Sequence, residues 1–264
     1  MIYKNIKGVP DFCADEFAGK SSDYCVLIPI INEGERIIAE LARAKAAGIN
    51  KHADIILCDG GSTDGSMEKG RLKELCVSTL LIKLGEGKQG AQLRMGIYYA
   101  IFRGYKGIIT IDGNNKDSIE SVPLFIEKLK DGYDLVQGSR FIKGGKAENT
   151  PLSRYIAVRC IHAPIISITA RHHYTDTTNA FRAYSSGYLT NDKVQPLRDI
   201  FTGYELLAYL SVRGAQLGFK TCEVPVARIY PKNEPAPTKI KGIKGNTSLL
   251  KILFSNAAGR YNPQ

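Results

Sequence analysis

The stretch CVLIPIINEGER, residues 25–36, decides the fold of this chain, because an apolar run ends there in a polar turn. An unbroken run of this kind is typical of a strand that is covered on both faces. The run DIILCD, residues 54–59, repeats the pattern and leads into the polar loop GGSTDG, residues 60–65. We expect two buried strands whose polar loops follow their carboxyl ends.

Further strands and helices alternate outward from these two runs. The patterns predict strands over 79–83, 107–112 and 134–140, and helices over 36–47, 66–75, 89–103 and 121–130. Such alternation with short loops predicts parallel pairing with right-handed crossovers, hence an α/β fold. Ligands of open parallel sheets bind beyond the carboxyl ends of the strands. Residues 1–22 read as a polar lead-in without periodicity.

The second half of the chain has a different pattern. It predicts a buried helix over 153–170, a short strand over 181–186, a helix over 204–213, an alternating strand over 219–230 and a final helix over 248–256. We find neither an internal repeat nor a linker, so we expect one domain.

Composition and charge restrict the class of protein. The chain has 264 residues, 44% hydrophobic and 23% charged, which is typical of a globular protein. The net charge of +10 favours an anionic partner, although it is also compatible with a mere contribution to solubility. No apolar run approaches the ~20 residues that span a bilayer, and the start lacks a signal peptide. Six cysteines without CxxC spacing indicate reduced thiols and a cytoplasmic location.

The run Asp112-Gly113-Asn114 follows the fourth apolar strand. A carboxylate with a second oxygen ligand two residues later suits Mg²⁺ or Mn²⁺, which leave room for phosphate oxygens and water. The same tripeptide is also a common turn. Glu33 and Asp59 follow other strands, and their expected convergence at one sheet edge favours a metal and diphosphate site.

The order of these motifs resembles the family-2 glycosyltransferases, in particular the branch of dolichyl- and polyprenyl-phosphate sugar synthases. The resemblance rests on collinear segments that cover most of residues 24–240: VLIPIINEGERI (26–37), ILCDGGSTDGS (56–66), GEGKQGAQLRMGI (85–97), ITIDGNNKD (109–117), LVQGSRF (135–141), DTTNAFRAY (176–184) and YELLAYLSVRGAQLGFKTCEVPV (204–226).

This resemblance implies a mixed, mostly parallel sheet of the GT-A type. It implies a nucleotide-sugar-binding half over about 24–142, an acceptor half over about 143–240 and a basic amphipathic tail over 241–264. By position, the nucleotide sugar would meet Pro29, Glu33, Asp59, Lys88, Arg94 and Asp112. The metal would meet Asp112 and Asn114, and the acceptor or leaving phosphate Arg140, Arg154 and Arg182.

The sequence departs from the family pattern at two points. Asn114 stands where the family has a second acid, which removes one charge from the metal site. Asp117 is a candidate to supply the missing carboxylate. Gly60 stands where an aspartate usually follows Asp59, which leaves the preferred base open.

The resemblance implies an inverting, hexosyl-transferring enzyme, but the acceptor and the catalytic base stay open. Transfer to a hydroxyl needs a carboxylate that takes the proton, and Asp176 and Glu205 are the candidates. A polyprenyl phosphate needs no base, whereas a lipid-linked or surface polysaccharide does. Asp176 also suits a structural role in its Thr-rich turn.

Two other classes of function compete with this interpretation. A nucleotidyltransferase shares the nucleotide-binding sheet, but its first strand usually leads into a Gly-rich loop rather than IINEGER. A non-catalytic nucleotide-binding protein fits the net charge, although no nucleic-acid-binding motif is present. The run of lysines and apolar residues over 239–260, which overlaps the basic amphipathic tail, suits either peripheral contact with the inner membrane face or packing against the domain.

Overall fold

A computed structural model describes residues 1–232 and 242–263, and for residues 242–246 the backbone only. The strands are β1 Ile2–Tyr3, β2 Phe12–Glu16, β3 Tyr24–Ile30, β4 Asp54–Asp59, β5 Val77–Lys83, β6 Gly107–Thr110, β7 Leu135–Ser139, β8 Lys146–Glu148, β9 Arg182–Ser185, β10 Thr221–Pro225 and β11 Ala227–Ile229. The helices are α1 Glu35–Ala46, α2 Lys69–Glu74, α3 Gln89–Phe102, α4 Val122–Lys130, α5 Leu152–Ile156, α6 Ala163–Ala170, α7 Ser186–Leu189, α8 Glu205–Gln216 and α9 Gly242–Ala257, with a π-helical turn, Ala157–His162, between α5 and α6.

The main sheet has the strand order β1-β2-β5-β4-β3-β6-β9-β7-β10 in the described chain. Strands β5, β4, β3 and β6 run parallel, whereas β9 is antiparallel to both of its neighbours. The predicted mixed, mostly parallel α/β sheet is therefore confirmed. Strands β8 and β11 form a separate parallel pair beside it.

Helices cover both faces of the sheet, which explains why its central strands are apolar throughout. Helices α1, α2 and α4 pack with one core cluster, and α3, α6, α8 and α9 pack with the other. Every residue of β4 is buried. Because β5, β4, β3 and β6 are parallel, their carboxyl ends and the polar loops that follow them lie at one edge of the sheet.

Two predictions about secondary structure are wrong. Residues 1–22 are not merely a polar lead-in without periodicity, because β2 lies antiparallel to β5 and buries Phe12. The helical segment 152–170 is not buried all round. Its Val158 and Ile166 are buried, but Leu152 and Ile168 are 73% and 78% exposed.

The C-terminal helix α9 packs back on the domain. Ile252 and Leu253 are buried, Phe254 is exposed, and Asn256 Nδ2 donates to the carbonyl of Ala208 at 2.9 Å. The tail lysines at 239 and 241, and the side chain of Lys244, lie outside the described residues. Among the described helices, none is long and apolar enough to cross a bilayer.

Candidate active site

The turn that carries Asp112 lies directly beyond β6, at the centre of the sheet edge. Gly113 is required there, because a Cβ atom at this position would lie 2.4 Å from Ile30 Cγ2 and 2.9 Å from Ile28 Cγ2. Asp112 Oδ1 accepts a hydrogen bond from Gln89 Nε2 at 3.1 Å, at the start of α3. The close packing of this turn on β3 therefore fixes the direction of the Asp112 carboxylate.

Arg228 holds the Asp112 loop from the opposite side. Its Nη2 lies 3.1 Å from Asp112 Oδ2 and its Nη1 lies 2.5 Å from Asp117 Oδ2. The backbone secures this arrangement, because the amide of Ile229 donates to the carbonyl of Lys116 at 2.8 Å. The buried guanidinium of Arg228 thus joins two carboxylates that the loop places five residues apart.

The charges of this group shift one another's pKa values. Burial acts to raise the pKa of Asp112, but Arg228 and Lys116 outweigh it and hold that pKa below its ordinary value. Burial dominates at Asp117 and raises its pKa, in spite of Arg228. Burial and the neighbouring Arg228 lower the pKa of Lys116 to about 8. Asp112 is therefore the more acidic of the two carboxylates that Arg228 joins.

Three cationic side chains surround the ring of Tyr230. Lys116 Nζ lies 5.1 Å from the ring centroid, and the guanidinium carbons of Arg154 and Arg228 lie 5.6 Å and 5.9 Å from it. Arg154 Nη1 also donates to the Tyr230 hydroxyl at 3.0 Å. The three cations lower the pKa of Tyr230, although burial alone would raise it. Such a concentration of positive charge is suited to phosphate groups.

The loops after β3 and β4 interlock at the same sheet edge, as predicted. Asp59 accepts hydrogen bonds from Ser62 N at 3.0 Å and Ser62 Oγ at 2.6 Å, and Ser62 Oγ in turn accepts from Asn32 N at 2.9 Å. Glu33 pairs with Arg36 at 3.0 Å. Pro29 lies in β3 just before these loops.

A cavity of about 500 Å³ brings together Lys88, Arg94 and Glu205, and Gln89, the residue after Lys88, donates to Asp112. Arg94 Nη1 donates to the carbonyl of Gly8, so its guanidinium is directed towards the N-terminal loop. Glu205 accepts from the amide of Gly203 at 2.6 Å. The exposed Lys88 is therefore the cation that this cavity offers most directly to a ligand.

Arg140 and Asp176 form a buried ion pair behind the site. Arg140 Nε and Nη2 lie 2.6 Å and 2.9 Å from the two Asp176 oxygens, and the side chains are 2% and 0% exposed. Glu223 supports this pair by accepting from the amide of Asp176 at 3.2 Å. Both carboxylate oxygens of Asp176 are thereby engaged by Arg140.

Arg182 is not brought to the sheet edge. It is 2% exposed, and its guanidinium donates to the carbonyls of Thr177, Asn179 and Leu207 and to Ser211 Oγ. These bonds tie β9 to α8. The described contacts give Arg182 a structural place in the core.

The oxygen atoms around Asp112 suit a divalent cation. Asn114 Oδ1 is buried, and within the described parts of the chain no hydrogen-bond donor reaches it. No group of three His, Cys, Asp or Glu side chains that would enclose a metal occurs in the described residues. The chain thus offers Asp112 and the Asn114 amide oxygen, and a bound ion would need further oxygens from a phosphate ligand or water.

Sequence reasoning overlooked Arg228, Lys116 and Tyr230 as members of this site. The alternating strand pattern of 219–230 was the available signal, because it places Arg228 and Tyr230 on the same side.

Residues 25–191 match the family model described as glycosyl transferase family 2. The chain belongs to this family. The prediction of a glycosyltransferase is thereby confirmed.

Relatives within the glycosyl transferase family 2 agree with the predicted branch. The chain is 27% identical to the undecaprenyl-phosphate mannosyltransferase of Micrococcus luteus, over 89% of this chain and 94% of the relative. It is 25% identical to the polyprenol monophosphomannose synthase of Mycolicibacterium smegmatis, over 90% of this chain and 88% of the relative. It is 26% identical to the glycosyltransferase AglJ of Haloferax volcanii, over 88% and 71%.

Among solved structures, the fold is similar to that of glucosyl-3-phosphoglycerate synthase from Mycobacterium tuberculosis. That protein was crystallised with Mn²⁺, uridine diphosphate and phosphoglyceric acid; the TM-score is 0.62 at 18% identity, over 93% of this chain and 80% of the other. At this identity the likeness concerns the fold alone, and it confirms the predicted GT-A type.

Proposed function

We propose that this glycosyltransferase moves a hexosyl group from a nucleotide sugar to the phosphate of a polyprenyl phosphate, with inversion at the anomeric carbon. The observation that carries the proposal is the cluster of Lys116, Arg154 and Arg228 on the Tyr230 ring, beside Asp112. A reaction between a diphosphate ester and a second phosphate brings two anionic groups together, so the site needs cations that neutralise each of them. The names of the relatives from Micrococcus luteus and Mycolicibacterium smegmatis agree with such an acceptor.

Asp112 and Asn114 would hold Mg²⁺ or Mn²⁺ in this proposal. When bound, the ion would stabilise the negative charge that develops on the leaving diphosphate. Arg228 and Lys116 would add fixed positive charge in a buried setting, where electrostatic stabilisation is strong. Glu33, Asp59 and Pro29 would border the base and ribose, with Lys88 in the adjoining cavity.

The state of Asp176 favours a phosphate acceptor over a hydroxyl acceptor. A hydroxyl needs a base within about 3 Å of its proton, but both Asp176 oxygens are held by Arg140. A phosphate monoester is already an anionic nucleophile. Its oxygen attacks the anomeric carbon, the bond to the nucleotide breaks on the opposite face, and no proton has to be removed. Glu205 is the remaining candidate base if a polysaccharide hydroxyl is the acceptor.

The donor is tested by a thermal-shift screen of uridine- and guanosine-diphosphate sugars, with Mg²⁺ or Mn²⁺. A ligand that binds the folded state raises the melting temperature by mass action. We expect a shift that requires the metal and disappears in Asp112→Ala. The matched control is Asp192→Ala, which removes an exposed acid outside the site. Metal-independent shifts of equal size in Asp112→Ala would exclude the metal role of Asp112.

The acceptor is tested by comparing polyprenyl phosphate with the corresponding polyprenol. With the donor found above, we expect transfer to the phosphate and none to the alcohol, because the proposed site provides cations for a phosphate while Arg140 occupies both oxygens of Asp176. Product from the alcohol at a comparable rate would contradict the phosphate acceptor, while it would leave the family assignment untouched.

A further inference from the structure

The helical segment 152–170 exposes an apolar ridge to solvent. Leu152, Ile156, Cys160, Pro164 and Ile168 follow one another at intervals of four residues, and all five are exposed. Residues four apart are neighbours on the surface of a helix, and the exposure of all five makes them one continuous apolar row. We call these five residues the exposed ridge. Its span of about 16 residues corresponds to roughly 24 Å of helix.

The opposite side of the same segment explains why the ridge stays outside. Val158, Ala163, Ile166 and Ala170 are buried, and Tyr174, just beyond the segment, is buried against α8, donating to the carbonyl of Ser211 at 2.8 Å. The segment therefore already has its intramolecular partner on that face. A contiguous apolar row on the outer face of a folded protein marks a surface that contacts another protein or a membrane.

The charge of the surrounding sequence favours a membrane as the surface that the ridge contacts. From residue 143 to residue 173 the chain has five cations and one acid, so its formal charge is +4: the cations are Lys143, Lys146, Arg154, Arg159 and Arg171, and the acid is Glu148. An apolar row flanked by cations suits the interface of a bilayer with anionic headgroups. A water-soluble protein partner of ordinary composition gives no reason for this excess of one sign.

The ridge also begins at the candidate active site. Leu152 precedes Arg154 by two residues, and Arg154 bonds to the hydroxyl of Tyr230, whose ring contacts Arg228. A helix that lies flat on the bilayer through its outer face would thus bring Arg154 to the level of the headgroup phosphates. A prenyl phosphate has its chain in the bilayer and its phosphate at that level.

We propose that the exposed ridge of segment 152–170 rests on an anionic lipid surface and directs the Arg154 end of the site towards membrane-borne phosphate. The contact itself is independent of the proposed reaction, whereas the statement about Arg154 rests on it. The exposed ridge is separate from the C-terminal helix α9, whose Ile252 and Leu253 are buried in the domain and whose Phe254 is exposed.

The contact is tested by flotation of the whole protein with vesicles of phosphatidylglycerol and of phosphatidylcholine. We expect binding to the anionic vesicles that weakens as salt is added, and little binding to the zwitterionic ones. The double variant Ile156→Ser/Ile168→Ser should bind about tenfold more weakly or worse, because it removes two apolar side chains from the interface. The matched control is Leu124→Ser/Ile200→Ser, which removes two exposed apolar residues elsewhere.

Each result decides the proposal. Equal binding by the ridge variant and the wild type, or a loss as large in the control, would overturn it. So would a dimer in sedimentation experiments that dissociates in the ridge variant, with no vesicle binding by the wild type. Unchanged melting temperatures would show that both variants fold.

Activity separates this inference from the proposed reaction. With a short-chain prenyl phosphate in solution, the ridge variant should equal the wild type. With a long-chain prenyl phosphate in anionic vesicles, it should be about tenfold slower. Failure of the wild type with both acceptors would refute the proposed reaction, while the vesicle-binding result would still stand.

Discussion

The buried pair of Arg140 and Asp176 predicts a large loss of stability for Asp176→Asn. The Nε–Oδ2 and Nη2–Oδ1 distances are 2.6 Å and 2.9 Å, and the side chains are 2% and 0% exposed. Asparagine keeps the shape but removes the charge, so the guanidinium stays buried without its counter-ion. Breaking a buried pair in this way costs about 3–5 kcal/mol. That is a large part of the roughly 5–15 kcal/mol that stabilises a domain.

Urea unfolding followed by circular dichroism measures this loss. The double variant Arg140→Met/Asp176→Leu should recover much of it, because an apolar pair of similar volume leaves no charge buried. Together with the single variants Arg140→Met and Asp176→Leu, this double variant closes a double-mutant cycle, whose interaction energy is the coupling of the pair. At a temperature where Asp176→Asn is folded, its transfer rate should fall by less than about tenfold, since a true general base contributes 10²–10⁴-fold or so.

Two results would refute this reasoning about Asp176. A loss below about 1 kcal/mol would mean that the pair is not the buried contact that its geometry indicates. A stable Asp176→Asn variant whose transfer rate falls by about a thousandfold would make Asp176 the general base. The acceptor would then be a hydroxyl, contrary to the proposed function.

Three more predictions concern the Asp112 loop and its supports. Glu40 Oε2 accepts a hydrogen bond from the amide of Asn115, in the Asp112 loop, at 2.7 Å, and burial raises the pKa of this carboxyl well above its ordinary value. The folded state therefore binds this proton more tightly than the unfolded state. Stability should therefore fall as the pH rises from about 4.5 through that pKa, and urea titrations across this range should show a shallower fall in Glu40→Gln; identical slopes would contradict it. Gly113→Ala should cost about 1–3 kcal/mol by overpacking against the β3 isoleucines, whereas Gly19→Ala, with open space around it, should be neutral by the same measurement. Arg228→Met leaves the buried Asp117 carboxylate without its guanidinium, so we expect it to lower the free energy of unfolding by about 3–5 kcal/mol. It should also abolish the nucleotide-dependent thermal shift. A shift of wild-type size would exclude Arg228 from the diphosphate site.

The strands of the central sheet could be predicted because their signal is local. Strand β4 is buried throughout and reads as a continuous apolar run, and parallel pairing then brings the polar loops after β3, β4 and β6 to one edge. The strand pattern of the sequence alone predicts Asp112 and Asp59 at this edge. Strand β2 escaped prediction because its five residues FCADE gain their burial from pairing with β5, far along the chain.

The sequence by itself determined the α/β alternation, the strand ends and the residue types that meet there, since these depend on neighbours within a few positions. Only the tertiary structure decided which charges face one another. Arg228 reaches Asp112 across 116 residues because β11 crosses the loop after β6. Arg182, of the same residue type, is enclosed by carbonyl groups of the core. The exposed ridge has the same cause: an apolar helix is buried or exposed according to what packs on each face, and no local pattern contains that information.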